Sequence, residues 1–244
     1  MTTIKLIIEY EGTAYAGWQR QPYHSTIQAA LEEALFKITQ QHIPMVGAGR
    51  TDSGVHALGQ VVSFQSGRSL AATQWASALN AYLPKDISVL SSQQALDGFH
   101  ARFSAKGKIY EYRITLQSSR PALDRYRAWH FPYALDTNTM SQAMREFIGT
   151  HNFTSFRGQR SQTINPRCTI SHFSLCSEST ELTIRIEGDR FLKQMVRALV
   201  GTLVEVGQHK RHPNTMRHIL QANDRQSAGR TAPSHGLYLT KVLY

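Results

Sequence analysis

The spacing of hydrophobic residues in the first hundred positions switches between the period of a strand and that of a helix. The stretch TIKLIIEY, residues 3–10, is rich in β-branched and aromatic residues and predicts a strand. The stretch STIQAALEEALFKITQQ predicts a helix with Ser25 as its N-cap and Gln28 at the capping-box spacing. The expected apolar face of this helix consists of residues at helical spacing: Ile27, Leu31, Ala34, Leu35 and Ile38.

The next stretches continue the same alternation. LGQVVSFQS and ISVLSSQQAL predict strands, and LAATQWASALNAYLP between them predicts a helix with Trp75, Leu79 and Leu83 on one face. The order is therefore β-α-β-α-β, with room for one more strand near residue 45.

The later part of the chain shows a similar succession. KIYEYRITL and RAWHFP predict strands, TNTMSQAMREFIG predicts a helix ended by Gly149, and RCTISHFSLCS with TELTIRIEG predicts a hairpin. RFLKQMVRALVGTLVEVG predicts a long helix from Arg190, NTMRHILQAN a shorter one and GLYLTKVLY a closing strand. Paired strands between helices indicate the α+β class, with antiparallel sheets and helices packed on one side. We expect two similar halves, residues 1–105 and 106–244, that share a sheet or a cleft.

The charge of the chain lies almost entirely in its second half. The formal net charge is +10; residues 1–105 carry seven basic and seven acidic groups, and residues 106–244 carry twenty basic and ten acidic groups. An excess of this kind favours a polyanionic partner, because basic groups gain affinity by releasing counterions from phosphates. No apolar run approaches the roughly 20 residues of a membrane span, so we expect no membrane partner.

The cysteines and histidines give little sign of a metal site. Cys168 and Cys176 lack the CxxC spacing, and His209 and His212 have neither an HExxH pattern nor cysteine partners. We therefore expect no bound metal, no disulfide framework and a reducing, cytoplasmic location.

The segment GAGRTDSGVHA, residues 47–57, carries the strongest chemical signal. It lacks the GxxxxGK[ST] and GxGxxG patterns of phosphate-binding loops. An Asx-type turn would explain Asp52 and a positive φ at Gly54, but it would not explain Arg50. An ionised aspartate is a poor general acid but serves as a nucleophile or an electrostatic stabiliser, and Gly47 and Gly49 would let the backbone approach a substrate.

GRTDSGVHA resembles the active-site motif of the TruA family of tRNA pseudouridine synthases. Further blocks are similar to that family in the same order: IEYEGTAYAGWQRQ, FHARFSAKGKIYEYRI, HNFTSFRG, IEGDRFLKQMVRALVGTLVEVG and APSHGLYLTKVLY. The resemblance spans nearly the whole chain. Ser53 stands where the family usually has alanine, and Lys108 where arginine is common; neither carries the reaction.

The resemblance implies the pseudouridine synthase fold, with a catalytic cleft between the halves. It also implies the reaction: the C1′–N1 bond of a uridine breaks, the uracil turns and a C1′–C5 bond forms. By the family pattern Asp52 is the catalytic aspartate, acting on the base, on the sugar or on a C2′ proton. A carboxylate can play each of these parts without a metal or an organic cofactor.

Other site residues follow from the family pattern. Tyr110 would stack against the target base, whereas Tyr112, on the same face of the strand, is expected in the core. Arg197 lies on an apolar helix where a carboxylate partner is expected, and the family supplies Asp52 as that partner. Arg50 would contact the RNA or help to evict the base. Two leucines of the last strand are candidates for the pocket wall: Leu237 and Leu239.

The helix pattern places Arg190 and Lys193 on one stripe with Arg197. The loop from Trp18 to His24 mixes basic and aromatic residues and could reach the RNA, as could His56. Further candidates for phosphate contacts are Arg102, Lys106, Lys108, Arg157, Arg160 and Arg167.

The partner implied by the resemblance is the anticodon stem-loop of tRNA, with uridines 38, 39 and 40 as targets, held across a homodimer. A target base must leave its stack before a side chain reaches C1′. A non-catalytic RNA-binding or RNA-chaperone protein of the same fold is the alternative, although GRTD, Tyr110 and Arg197 disfavour it. A glycoside hydrolase would need a second carboxylate beside Asp52, and the nearby sequence offers none.

Overall fold

A computed structural model describes residues 1–68, 70–158 and 164–244. It is an α+β protein, as predicted, and the described strands are mostly antiparallel. The strands are β1 (Thr2–Tyr10), β2 (Val46–Gly47), β3 (His56–Ser66), β4 (Ile87–Gln94), β5 (Gly107–Thr115), β6 (Trp129–His130), β7 (Gly149–Asn152), β8 (Arg167–Glu178), β9 (Glu181–Gly188) and β10 (Leu237–Leu243). The helices are α1 (Ile27–Thr39), α2 (Trp75–Asn80), α3 (Thr137–Arg145), α4 (Met195–Gly207) and α5 (Thr215–Ala222).

The chain forms two compact units. The first contains Met1–Lys106 together with Tyr238–Tyr244, and the second contains Gly107–Leu237. We expected the closing strand to belong with residues 106–244, but most of it lies in the first unit. The reason is its pairing: β10 runs parallel to β3, with Tyr238 opposite His56 and Leu239 opposite Ala57.

In the first unit, β3 is the strand on which the sheet is organised. β1 pairs with it antiparallel along most of its length, and β4 lies on the far side of β1. The short strand β2 pairs with the end of β3, where Gly47 lies opposite Val62. Helix α1 buries its predicted apolar face, and α2 sets Trp75 edge-on against Phe64, with ring centroids 5.2 Å apart.

In the second unit four strands lie in the order β5-β9-β8-β7, and neighbouring strands in this order are antiparallel. β5 pairs with β9 from Lys108 opposite Gly188 to Thr115 opposite Glu181. The predicted hairpin of β8 and β9 is present. Helix α4 is buried along nearly its whole length, so it forms much of the core of this unit.

Four predicted helix boundaries are wrong, three of them in α1, α2 and α3. The N-cap of α1 is Thr26, whose hydroxyl accepts the Ala29 amide at 3.3 Å, and not Ser25. Helix α2 ends at Asn80, before Leu83. Gly149 does not end α3, which stops at Arg145; with φ of +104°, Gly149 begins β7 instead.

The long helix predicted from Arg190 starts only at Met195. Gln194 has φ of +60°, a left-handed conformation that interrupts a right-handed helix. Before it, the Asp189 carboxylate accepts the Arg190 amide at 2.6 Å and thereby holds a turn. Arg190 and Lys193 therefore do not share a helical stripe with Arg197.

Candidate active-site motif and its surroundings

The motif segment is held from one side by buried groups of the first unit. The fully buried Gln60 side chain donates to the Gly49 carbonyl at 2.8 Å. The Thr51 hydroxyl lies 2.8 Å from the Tyr10 hydroxyl, and the Thr51 carbonyl accepts the Trp18 amide at 3.1 Å. These bonds fix the backbone on both sides of Arg50.

Burial alternates along the three central residues of the motif. Arg50 is exposed, Thr51 is buried and Asp52 is half-buried. Thr51 is anchored inwards by its hydroxyl contact with Tyr10, whereas its two neighbours are more accessible. The buried threonine thus separates the cation from the anion in the sequence.

Asp52 begins a tight turn in which Gly54 has the positive φ that the sequence suggested. The Val55 amide donates to the Asp52 carbonyl at 3.2 Å, and Gly54 has φ of +75°. The Tyr15 carbonyl then accepts both the Gly54 amide at 3.3 Å and the Ser53 hydroxyl at 3.2 Å. The turn is therefore bonded to the preceding loop as well as to itself.

Two glycines of that preceding loop allow it to touch the turn. A Cβ on Gly17, which has φ of +94°, would lie 2.5 Å from the Thr51 carbonyl oxygen, and one on Gly12 would overlap the Val55 carbonyl. Gly47 was expected to let the backbone approach a substrate, but the structure shows a packing role for it. A side chain there would lie 2.5 Å from the Trp18 indole, so this glycine makes room for a buried tryptophan.

His56 connects the end of the motif to the same loop. Its ring is 1% exposed, accepts the Gly12 amide on Nδ1 at 3.0 Å and stacks on Tyr238 with centroids 4.7 Å apart. The expectation that His56 contacts RNA is wrong, because a side chain so buried has no surface to offer. An accepting Nδ1 places the proton of the neutral ring on Nε2. His56 therefore joins the motif to the Gly12 loop through this hydrogen bond.

The phenol of Tyr10 also supports the motif. Burial raises the pKa of Tyr10 to about 12, while its hydrogen bonds to Thr51 and Gln60 act in the opposite direction. Tyr10 therefore stays protonated at neutral pH and keeps its hydroxyl bond with Thr51.

The second unit contains the two tyrosines of β5. Tyr110 is 7% exposed and stands edge-on to Phe191, with centroids 5.1 Å apart. Tyr112 is fully buried, as predicted, and its hydroxyl donates to the Pro233 carbonyl at 2.7 Å. Burial raises the pKa of Tyr112 well above its usual value. Tyr112 is a structural residue, and the role of Tyr110 towards a base stays a prediction.

Arg197 lies in the first turn of α4 and is half-buried. Its Nε donates to the Ala232 carbonyl at 2.8 Å, and its own carbonyl accepts the Ala232 amide at 3.0 Å. The pKa of nearby His235 is lowered by burial and by the Arg197 charge. Asp52 belongs to the other compact unit, so the predicted Arg197–Asp52 ion pair stays a prediction.

The remaining candidates occupy varied environments. Leu237 is 6% exposed and Leu239 is fully buried, and their part in a pocket wall stays a prediction. Arg102, Lys106 and Arg167 are exposed, whereas Lys108 and Arg157 are half-buried; Arg160 lies outside the described residues.

No cluster of three or more metal-binding side chains occurs in the part of the chain that the structure describes. Within the same residues, no helix combines the length and the apolar character needed to cross a membrane.

A sequence model of the tRNA pseudouridine synthase family matches residues 6–104 and 143–244, on either side of the β5–β6 region. The chain belongs to that family. The match includes Asp52 and Arg197, whereas Tyr110 falls between the two matched segments.

Named relatives of this synthase extend over its full length. The tRNA pseudouridine synthase A of Bacillus pumilus (strain SAFR-032) is 42% identical over 243 residues, which cover 99% of this chain and 98% of that protein. The enzyme of the same name from Acetivibrio thermocellus is 43% identical and covers 100% of both chains. A solved structure titled "Crystal Structure of a Cbf5-Nop10-Gar1 Complex" is 12% identical, with a TM-score of 0.40, over 96% of this chain and 57% of that chain.

The supporting roles of several residues of this synthase were not predicted from the sequence. Gln60 and His56 lie on β3 among apolar residues, His56 was expected to contact RNA instead, and Gly12 and Gly17 lie in a loop. A buried glutamine inside an apolar strand is itself a signal, because a buried amide needs a partner.

Proposed function

We propose that this chain isomerises uridine to pseudouridine at positions 38, 39 and 40 of the tRNA anticodon stem-loop, with Asp52 as the catalytic carboxylate and no cofactor. The reaction breaks C1′–N1, turns the uracil and forms C1′–C5, and the proton on C5 moves to a nitrogen of the base. No atom is gained or lost. A positioned carboxylate can attack the base or the sugar, or remove the C2′ proton.

The best evidence for this role of Asp52 is the set of hydrogen bonds that hold the residues on either side of it. Its neighbours are bonded on both sides, to Tyr10 and Trp18 through Thr51 and to Tyr15 through Ser53 and Gly54. Catalytic groups held in this way need little reorganisation when the substrate binds. A turn with a structural role alone would not require Arg50 to be exposed beside it.

The other residues have assigned parts in the proposal. Arg197 pairs with Asp52 and keeps it ionised and aimed, and Tyr110 stacks on the extruded uracil and assists the proton leaving C5. Arg50 contacts the RNA, and Leu237 and Leu239 line the pocket. The anchored Nε of Arg197 supports its part, because a guanidinium fixed at one nitrogen presents its remaining donors in a defined direction.

The tRNA partner agrees with the charge distribution. The ten excess positive charges lie after residue 105, and phosphate contacts offset the few kcal/mol that extruding a base costs. We further propose a cytoplasmic homodimer that holds one tRNA across both subunits, which sedimentation with and without tRNA would test.

The test uses unmodified tRNA and an isolated anticodon stem-loop in the presence of a chelator, followed by chemical mapping of pseudouridine. We expect conversion at uridines 38, 39 and 40, and none when these are replaced by cytidine. RNA that binds without conversion would instead support the non-catalytic chaperone. Conversion only at other positions would refute the assigned target.

A further inference from the structure

The loop between β1 and α1 carries at its tip a tyrosine that has no part in the proposed catalytic site. Tyr23 has a relative exposure of 104% and φ of +62°. It lies at the tip of a tight turn closed by a bridge between Gln21 and His24. Among the described residues, the Tyr23 ring has no aromatic, ionic or hydrogen-bonding partner.

The turn that carries Tyr23 is firmly built. The Ala16 amide donates to the Ser25 carbonyl at 2.9 Å, which joins the two sides of the loop. The Gln21 side chain donates to the Ala16 carbonyl at 3.1 Å, and the Arg20 amide donates to the Gln28 side chain at 3.1 Å. Tyr23 is thus presented on an ordered projection.

The backbone at this tip would suit a different residue. Glycine and asparagine adopt a positive φ readily, whereas a bulky residue is strained there. The exposed ring itself buries nothing that would offset this strain, so the hydrogen bonds of the loop must hold the conformation. Strained residues that are held in this way cluster at active sites and binding sites.

The position of this projection indicates the partner. Trp18, at its base, donates to the Thr51 carbonyl, and five residues of extended chain reach at most about 17 Å from Trp18 to Tyr23. The exposed cation Arg50 directly precedes Thr51 in the motif segment. RNA-binding proteins stack unpaired bases on exposed aromatic rings near cations that contact the backbone.

We propose that Tyr23 stacks on an unpaired base in the loop of the RNA that binds at Asp52. This inference rests on the proposed function for the identity of the RNA. The stacked base in this proposal is one other than the target uridine, whose stacking partner in the proposed function is Tyr110. Tyr23 is therefore a substrate-binding residue.

The test measures the dissociation constants of an anticodon stem-loop RNA and of a fully paired duplex of equal length for wild type, Tyr23→Gly and Tyr23→Phe. Tyr23→Gly removes both the ring and the strain, so we expect an unchanged or higher melting temperature. We expect the stem-loop to bind about five- to a hundredfold more weakly, with little change for the duplex. Tyr23→Phe keeps the ring and should bind as wild type does.

Tyr133→Ser is the matched control, because Tyr133 is an exposed tyrosine, at 64%, in the second unit. It should leave stem-loop binding unchanged. Equal stem-loop affinity for wild type and Tyr23→Gly would overturn the inference, as would an equal loss for stem-loop and duplex. A changed sedimentation coefficient with unchanged RNA affinity would assign Tyr23 to a protein contact and also overturn it. If Tyr23→Gly destabilises the fold, Tyr23→Asn replaces it in the same comparison.

Pseudouridine mapping of the same reactions keeps the two proposals apart. Conversion by wild type with equal RNA affinity for Tyr23→Gly refutes the stacking role alone. Absence of conversion by wild type refutes the proposed function, whatever the affinities are.

Discussion

Gly17→Ala tests whether the loop before α1 holds the catalytic turn in place. The new Cβ would lie 2.5 Å from the Thr51 carbonyl oxygen and 3.0 Å from the Asp52 carbonyl carbon. Ordinary contacts of a Cβ begin at about 3.4 Å, so the backbone around Asp52 must move by roughly 0.9 Å or the loop must withdraw by the same distance. A withdrawing loop also pulls on the turn, because Ser53 and Gly54 are bonded to the Tyr15 carbonyl, so we expect either movement to displace the carboxylate.

The expected loss follows from that displacement. A misplacement of about 1 Å of a reacting group costs on the order of 100-fold in rate. The positive φ of +94° adds a separate loss of about 1–2 kcal/mol in the free energy of unfolding. We therefore expect a kcat about 100-fold below wild type and a modestly lower melting temperature, with RNA affinity nearly unchanged.

Gly98→Ala is the matched control, because Gly98 has φ of +76° and open space around its Cα. It should lose a similar free energy of unfolding through backbone strain alone and keep the wild-type kcat. The assay is the steady-state rate of pseudouridine formation with saturating anticodon stem-loop RNA, at a temperature where both variants are folded by circular dichroism. A folded Gly17→Ala variant with kcat within threefold of wild type would refute the reasoning.

Three further predictions address the supporting residues. His56→Ala leaves the Gly12 amide without its acceptor and should lower the free energy of unfolding by about 1–3 kcal/mol, as measured by urea denaturation. His56→Asn keeps an acceptor and should recover part of this loss. Equal losses for the two variants would contradict a stabilising role for the hydrogen bond. Tyr10 has a pKa raised from 10.0 to about 12, so its stabilising effect is complete below pH 10 and is lost as the pH rises through 12. Denaturation across that range should show the fall for wild type and less of it for Tyr10→Phe, and identical profiles would exclude Tyr10 as the cause. Arg197→Met should lower turnover much more than RNA affinity, and a loss of affinity alone would show that the proposed pairing with Asp52 is misassigned.

The regular part of the fold could be predicted from local sequence. Strands β1, β5, β8 and β9 and helix α1 show a periodic pattern, because each buries mainly one face. β3 is buried at almost every position and is marked instead by its β-branched and aromatic residues. The α+β class follows from their order. Local periodicity does not give strand pairing, so it could not show that β10 joins β3 rather than the strands that precede it in sequence.

Helix boundaries failed where backbone conformation overrode composition. RFLKQ before α4 contains good helix formers, but the left-handed Gln194 and the Asp189 turn exclude these residues from the helix. At α1, Ser25 and Thr26 are both good caps, and their side chains alone do not decide which one accepts the free amide.

The candidate site likewise contains residues that the sequence could identify and residues whose roles it could not. Arg50 and Asp52 could be singled out because a turn does not need that arginine. The supporting roles of Gln60, His56 and Gly12 could not be predicted, because these residues reach the motif through contacts between distant parts of the chain. Their burial and bonding become visible only in three dimensions.

The central claim is that the Asp52 carboxylate carries the isomerisation, and Asp52→Asn tests it most directly. Asparagine has nearly the same size but lacks the charge, and Asp97→Asn, at an exposed aspartate of the same unit, is the matched control. Under single-turnover conditions, with the enzyme in saturating excess over the anticodon stem-loop RNA, we expect no detectable pseudouridine from Asp52→Asn, RNA affinity close to wild type and a near-normal rate for Asp97→Asn. Pseudouridine formation by Asp52→Asn at a rate near that of wild type would contradict the account.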